Sequence, residues 1–305
     1  MKRVAIVTGA HGFIGRHISR TLSKHDWRVL GVGHGNWQSA IEQRFWGIDE
    51  WKSSDITSKA LAEIGIVPDV IVHCAGSGTV SFSLQNPKED FDRCVTTTLN
   101  VLEFAKQYAP AAHIVTMSSA AVYGEANRLP IIEDDDTNPV SPYGVHKHIA
   151  EQLCESYSIH FGLNISILRL FSVYGEGLKK QFLWDACNKL KREENIFHGT
   201  GNEIRDWIHI NDVASLIEHV LSNSTEKFSI FNGACGVGIT ISEVLQALQL
   251  IMSSQASFSF SGIVRAGDPT GYIADTKKAT QLGWNPKVTW EKGISDYGRW
   301  YRDTQ

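Results

Sequence analysis

Proline is scarce, cysteine is sparse and neither sign of charge dominates; each shortage closes off a class of protein. Eight prolines are too few for a polyproline stalk or a Pro-rich linker. Five cysteines, Cys74, Cys94, Cys154, Cys187 and Cys235, are odd in number and include no C-x-x-C pair. That usage excludes a disulfide-stapled scaffold and points to reduced, mostly buried thiols in a cytoplasmic chain. The histidines are scattered and none pairs with a cysteine at ligand spacing, so no metal is expected. A formal net charge of −4 leaves no basic footprint for nucleic acid or for an anionic membrane. Long apolar runs are missing too. Behind Met1-Lys-Arg3 stands only Val4-Ala-Ile-Val7, too short for a signal-peptide core or a membrane span.

What is present is alternation. Strand-like runs at Arg3–Thr8, Arg28–Gly33, Asp69–Cys74, Ala112–Met117 and Asn164–Leu170 are separated by helix-like segments. That order predicts an α/β fold with a Rossmann-type, doubly wound parallel sheet over residues 1–170. From 171 to 305 the pattern turns irregular, with loops such as His198–Glu203 and Arg265–Gly271. A smaller C-terminal substrate-binding lobe is expected there, interleaved with the first domain. No internal repeat or low-complexity tract is visible.

The first strand runs into Gly9-Ala-His-Gly12-Phe13-Ile14-Gly15 and then a helix-like segment. Glycines in a strand–turn–helix allow close backbone approach, and the helix N-terminus offers free N–H groups to a pyrophosphate. An NAD enzyme usually places an acid about 20 residues on, for the adenosine ribose. Here that place is held by His34, within Gly33-His-Gly35. Without the acid, a 2′-phosphate would meet no repulsion, so the reading leans to NADP(H), with NAD(H) the alternative. Asp55, followed by Ile56, suits an adenine contact, and Cys74-Ala75-Gly76 closes a strand beside the cofactor.

Tyr143 and Lys147 carry the chemistry, with Ser119 upstream. At i, i+4 on a helix they share a face. An ammonium beside a phenol favours the phenolate, which would let Tyr143 exchange a proton with a substrate hydroxyl near neutral pH. Alone, Y-x-x-x-K is also an ordinary amphipathic helix.

Taken together, these residues resemble the extended short-chain dehydrogenases/reductases that act on nucleotide sugars. The resemblance rests on Gly9–Gly15, His73–Gly76, Ser118–Gly124, Ser141–Lys147, Leu168–Gly175, Arg205–Asp212, Arg265–Pro269 and Leu282–Pro286. It implies that Ser119, Tyr143 and Lys147 form the catalytic triad, with Tyr143 as acid/base and Lys147 also holding the nicotinamide ribose. It implies that Arg205 and Arg265 clamp the substrate pyrophosphate, where a surface ion pair with Asp206 or Asp268 is the plainer reading. Ser77, Thr79 and Ser172 are further substrate-facing positions, Ser172 standing where many relatives have Asn. Cys94 stands where relatives commonly have Asn, so packing around that helix should differ. Relatives commonly dimerise through two helices of each subunit, which makes a homodimer the expectation.

Which reaction follows from what is missing. Dehydratases of this kind need an acidic pair where this chain has Ala120-Ala121, and a methyl group cannot move a proton. Decarboxylases and 3,5-epimerases need Glu or Cys at the Ala121 position. Asp134, Asp135 and Asp136 read as a solvated loop. Hydride transfer at a single carbon, C4, remains. The NADP(H) lean makes a 4-keto-6-deoxy nucleotide-sugar reductase the first expectation, and a nucleotide-sugar 4-epimerase with tightly held NAD the alternative. A non-catalytic nucleotide-sugar or NADP(H)-binding protein is the third. His146 is expected on the helix surface.

Overall fold

A computed structural model describes residues 2–253, 257–263 and 271–305. Twelve strands are assigned among them: β1 Val4–Thr8, β2 Arg28–Gly33, β3 Glu50–Ser53, β4 Val70–His73, β5 His113–Ser119, β6 Asn164–Leu170, β7 Ser172–Tyr174, β8 Ile196–Phe197, β9 Ile204–His209, β10 Phe228–Gly233, β11 Gly238–Thr240 and β12 Ser259–Phe260. Seven form one sheet in the order β10-β6-β5-β4-β1-β2-β3. Every ladder in it is parallel. The fold is therefore the expected doubly wound α/β architecture.

The strands obey the rule for sheets covered on both faces, reading as apolar runs instead of alternating ones. Ala5, Val7, Val72 and Val115 pack into a cluster on one face, while Ile6, Ile71, Ile114 and Ile165 pack on the other. Residues beyond 170 contribute to this body: β10 is a sheet edge, and Ile210, Val213, Ile217 and Trp284 belong to the first cluster. A separate core around Tyr174, Trp207, Tyr297 and Tyr301 joins helices Gln181–Lys191, Ile241–Met252 and Trp290–Thr304. A three-stranded sheet, β11-β9-β7, runs beside it.

Strand order reverses between β1 and β4, each of which leads to one half of the sheet. In such sheets ligands bind outside the carboxyl ends of the strands at that switch point. The loops after Thr8 and His73 open there.

Two histidines in the sheet are held neutral by burial. His73 accepts or donates at Thr8 Oγ1 (2.7 Å) and Thr98 Oγ1 (3.3 Å), and burial lowers its pKa to about 3. His113 bonds Ser166 Oγ at 2.9 Å, and burial lowers it to about 4. Both folded values lie below the ordinary 6.5, so unfolding takes up protons. Their contribution to stability is complete above pH 6.5 and is lost as pH falls toward 4. Each adds a slope of about 1.4 kcal/mol per pH unit in that window. Thermal melts across it should show His113→Gln flattening the acid slope by one such increment. An unchanged slope would mean that His113 is already protonated in the native state.

Candidate active site

The cofactor cradle is built from glycines that nothing else can replace. Gly9 has φ +67, and a Cβ there would lie 2.7 Å from Ala75 N; one on Gly15 would lie 2.3 Å from Gly9 O. Gly12 donates its N–H to Gly9 O at 2.8 Å, closing the turn. Gly12 then caps helix Phe13–Lys24 with no side-chain hydrogen bond. The first N–H groups of that helix are thus left for an anion. A dinucleotide pyrophosphate fits this cradle, because the glycines leave no Cβ in the turn and the helix N-terminus offers its N–H groups. Phe13 and Ile14 pack inward from the first helical turn, and Ala75 N is pinned to Thr8 Oγ1 at 3.3 Å. Cys74, also beside the cradle, is a free thiol that burial pushes up to about 12, so it is no nucleophile.

At the tip of β2, exposed His34 lies beside Asp55, with Nε2 and Oδ1 2.9 Å apart. A carboxylate therefore does stand at the tip of β2, delivered from the loop after β3 instead of from β2 itself. Ile56 is buried among Ile6, Leu30 and Ile71, so only its backbone can face a ligand. Arg16, which the sequence reading passed over, lies between Trp37 and Trp46 and donates to His11 O at 2.5 Å.

Ser119 ends β5, and its Oγ accepts from Ala121 N–H at 3.2 Å. Tyr143 starts helix Pro142–Phe161, capped by Ser141. Ser83 Oγ accepts the Tyr143 backbone N–H at 3.0 Å, fixing the ring's entry angle. The Ser119 hydroxyl lies on the Tyr143 phenol's side of the site and favours its ionised form. One turn on, Lys147 is buried, donates to Met117 O at 2.8 Å and stands 6.0 Å from the Tyr143 ring centroid. Its Nζ faces Gly76, at 3.6 Å from where a Cβ would be. The three residues therefore converge at the switch point.

The electrostatics differ from the sequence expectation. Burial pushes the Tyr143 phenol above its ordinary value, and Lys147 and Ser119 pull it back only in part; Cys94 and Asp90 push it up further. Desolvation outweighs the ammonium, a balance that residue spacing cannot reveal. Burial also works against charge on Lys147, but Cys94, Tyr143, Asp90 and Cys74 outweigh it and raise its pKa.

Cys94 lies in a π-helical turn, Asp92–Thr96, that joins helix Pro87–Phe91 to helix Thr97–Tyr108. His146 is not on the surface: its side chain is 12% exposed and pairs with buried Asp90. The substrate-facing candidates fall into two groups. Ser77 is buried after β4, and Thr79 spends its hydroxyl capping helix Val80–Gln85, accepting from Phe82 N–H at 3.3 Å. Ser172 and Arg205 lie on neighbouring strands of the small sheet, Ser172 opposite Trp207. The neighbouring Asp206 is fully buried and accepts from Cys235, Gly236 and Ala274 N–H. Arg265 lies outside the described residues. Asp135 is tied to Arg128 at 2.7 Å, and Asp134 and Asp136 are exposed. No group of three metal-ligand side chains occurs among the described residues, and none of their helices is long and apolar enough to cross a membrane.

A parallel sheet with a glycine cradle and a Ser–Tyr–Lys cluster at its switch point defines a dinucleotide-dependent enzyme of the short-chain dehydrogenase/reductase type. The family model described as NAD dependent epimerase/dehydratase matches residues 5–233, and the chain belongs to that family. It is 30% identical to a UDP-glucose 4-epimerase of Corynebacterium glutamicum, covering 93% of this chain and 91% of that one. It is 29% identical to a UDP-glucuronate 4-epimerase of Thermodesulfobacterium geofontis, covering 98% and 96%. Among solved structures it resembles a UDP-glucuronic acid 4-epimerase from Bacillus cereus, in complex with UDP-glucuronic acid and NAD. There the TM-score is 0.87 and the identity 25%, over 99% of this chain and 100% of that one.

The lean toward a reductase and NADP(H) finds no support in these relatives, which are named 4-epimerases, one of them holding NAD. The lean rested on a missing acid after β2. The His34–Asp55 pair supplies a carboxylate at that edge, and so removes its physical basis.

Proposed function

We propose that this chain is an NAD-dependent 4-epimerase of UDP-linked sugars, of the UDP-glucose or UDP-glucuronate kind. The observation that carries the reading is the Ser119–Tyr143–Lys147 cluster on the cradle's side of the sheet, in a chain whose relatives over nearly its whole length are named for that reaction.

Bound NAD would supply the acceptor and donor of the C4 hydride. The Gly9–Gly15 turn would hold its pyrophosphate, Asp55 and His34 its adenosine, and Lys147 its nicotinamide ribose. Ser119 orients the C4 oxygen. Tyr143, as the phenolate that Lys147 stabilises, takes the hydroxyl proton as the C4 ketone forms and so becomes the phenol. Arg205, with Arg265, grips the diphosphate while the keto sugar turns over, and Tyr143 returns the same proton to the C4 oxygen presented on the other face. Ala121 brings only a methyl group, so dehydration has no second acid to use. A homodimer is kept as part of the proposal, with exposed Leu99 and Val145 on the two helices that would meet.

The experiment is direct. Protein as purified should release stoichiometric NAD on denaturation, and should interconvert UDP-glucose and UDP-galactose, or the matching uronates, with no cofactor added. Purification without NAD, combined with NADPH-dependent reduction of a 4-keto-6-deoxy nucleotide sugar, would replace this reading by the reductase.

A further inference from the structure

A single side chain anchors the loop after β2. From His34 to Ile41 every residue is exposed except Trp37, and helix Ala40–Phe45, which follows, has no buried residue. Trp37 turns in onto the cofactor turn, where its ring meets His11 edge-on with centroids 4.6 Å apart at 64°. Trp51 of β3 backs it at 5.8 Å and 80°. Arg16 joins them from the helix that follows the turn. Its guanidinium carbon lies 5.8 Å from the Trp37 centroid and 5.1 Å from that of Trp46. Two of its nitrogens donate to His11 O, at 3.2 and 2.5 Å. Gly35 shows how close the loop comes: it has φ +108, and a Cβ there would lie 2.4 Å from His11 Nδ1.

The cluster does not serve the elements it is built from. A cation near the start of a helix stands against the helix dipole. Arg16 occupies that place in helix Phe13–Lys24, whose first turn has no acid to offset it. The Trp37 and Trp51 indole N–H groups are buried without an acceptor among the described residues, so Trp37 is held by ring packing and by the guanidinium. What the cluster joins is two parts of one site. His34, at the head of the loop, stands beside Asp55, at the strand end where such folds read the adenosine ribose. His11 belongs to the Gly9–Gly15 turn that would hold the pyrophosphate.

We propose that Trp37 and Arg16 are positioning residues that latch the loop after β2 onto the cofactor turn, and that this latch keeps NAD in the protein through each turnover. The inference rests on the reading of the chain as a 4-epimerase, and deepens it. In that reaction the hydride taken from C4 returns to the same sugar, so loss of the coenzyme between the two transfers would strand the ketone. A reductase has the opposite need, because its spent coenzyme has to leave.

The test reads release of NAD from the holoenzyme, with excess alcohol dehydrogenase and ethanol reducing whatever is freed and the absorbance of the NADH formed reporting it. Trp37→Leu, which changes no charge, should release NAD about 10- to 100-fold faster than wild type, the effect of losing an aromatic pair and a desolvated cation–π contact together. Trp37→Phe keeps a ring in place and should restore most of the retention. Arg16→Met should also speed release, and added to Trp37→Leu it should change little, because both act through one contact. Unchanged release in Trp37→Leu overturns the proposal. So does a Trp37→Phe protein as leaky as the leucine variant, and so do additive effects in the double variant, which would mean that the two residues act apart. Arg16→Met carries the test should the leucine variant not fold, and unchanged release there overturns the proposal as well. The measurement needs no sugar. Protein that holds NAD but does not epimerise would sink the proposed function alone, and unchanged release in an active epimerase would sink this inference alone.

Discussion

Tyr143→Phe is expected to lower kcat for C4 epimerisation by two to four orders of magnitude, the usual contribution of a positioned general acid/base. The substitution removes one oxygen and keeps the ring, so packing has no reason to change. The Ser119 hydroxyl beside it keeps its bond to Ala121 N–H. Cofactor retention should survive, because the glycine cradle and Lys147 are untouched. KM should move little. Ser119→Ala should cost less, since Tyr143 would remain able to reach the C4 oxygen. The decisive measurement is turnover of UDP-glucose and UDP-glucuronate with retained NAD quantified in parallel. Variant protein that keeps NAD yet turns over within threefold of wild type would remove Tyr143 from the chemistry. Loss of NAD together with activity would instead mark a structural role.

The parts of this site that sequence exposes are those whose partners are close in the chain. The Gly9–Gly15 turn follows β1 directly, and its steric demand is local: each missing Cβ would strike backbone within the turn or the adjoining 74–75 segment. Tyr143 and Lys147 are one turn apart. Legibility fades where a partner arrives from a distant segment. His34 looked like the loss of an acid because Asp55 joins it only after β3 has formed. That strand, Glu50–Ser53, is a partly exposed edge with no apolar run to announce it. Strand β10 was not picked out as a strand, although residues beyond 170 were expected to interleave with the first domain; its backbone extends the first sheet. His146 had the spacing of a surface residue, and nothing nearby in sequence reveals Asp90 beneath it. The raised Tyr143 phenol is the clearest case. Charge spacing shows Lys147, but desolvation is a property of everything folded around the ring.

The network behind Ser119 shows the same principle with a larger energetic consequence. Ser118 donates to Glu151, and Glu151 pairs with Arg169 at 2.8 Å with both side chains nearly fully buried. Arg169 also donates to Glu133 O at 2.8 Å and lies 4.8 Å from the Tyr123 ring centroid. Tyr123 and the Asn232 amide then bond at 2.7 Å, carrying the chain of contacts from the catalytic helix through β6 to β10. Arg169→Ala would leave Glu151 a buried, unpaired charge, and breaking such a pair costs about 3–5 kcal/mol. For a chain of this size that corresponds to a fall of roughly 10 °C in the melting temperature. Activity should fall as well, because Glu151 holds Ser118 and Ser118 sets the strand end that carries Ser119. The double variant Glu151→Leu/Arg169→Met separates the two effects: it leaves no orphaned charge, so most of the stability should return. Turnover should not return with it, since the Ser118 hydroxyl has lost its acceptor. Calorimetry and kinetics on the three proteins decide the matter. An Arg169→Ala protein melting within 2 °C of wild type would mean that water reaches Glu151 and that the network carries no buried charge.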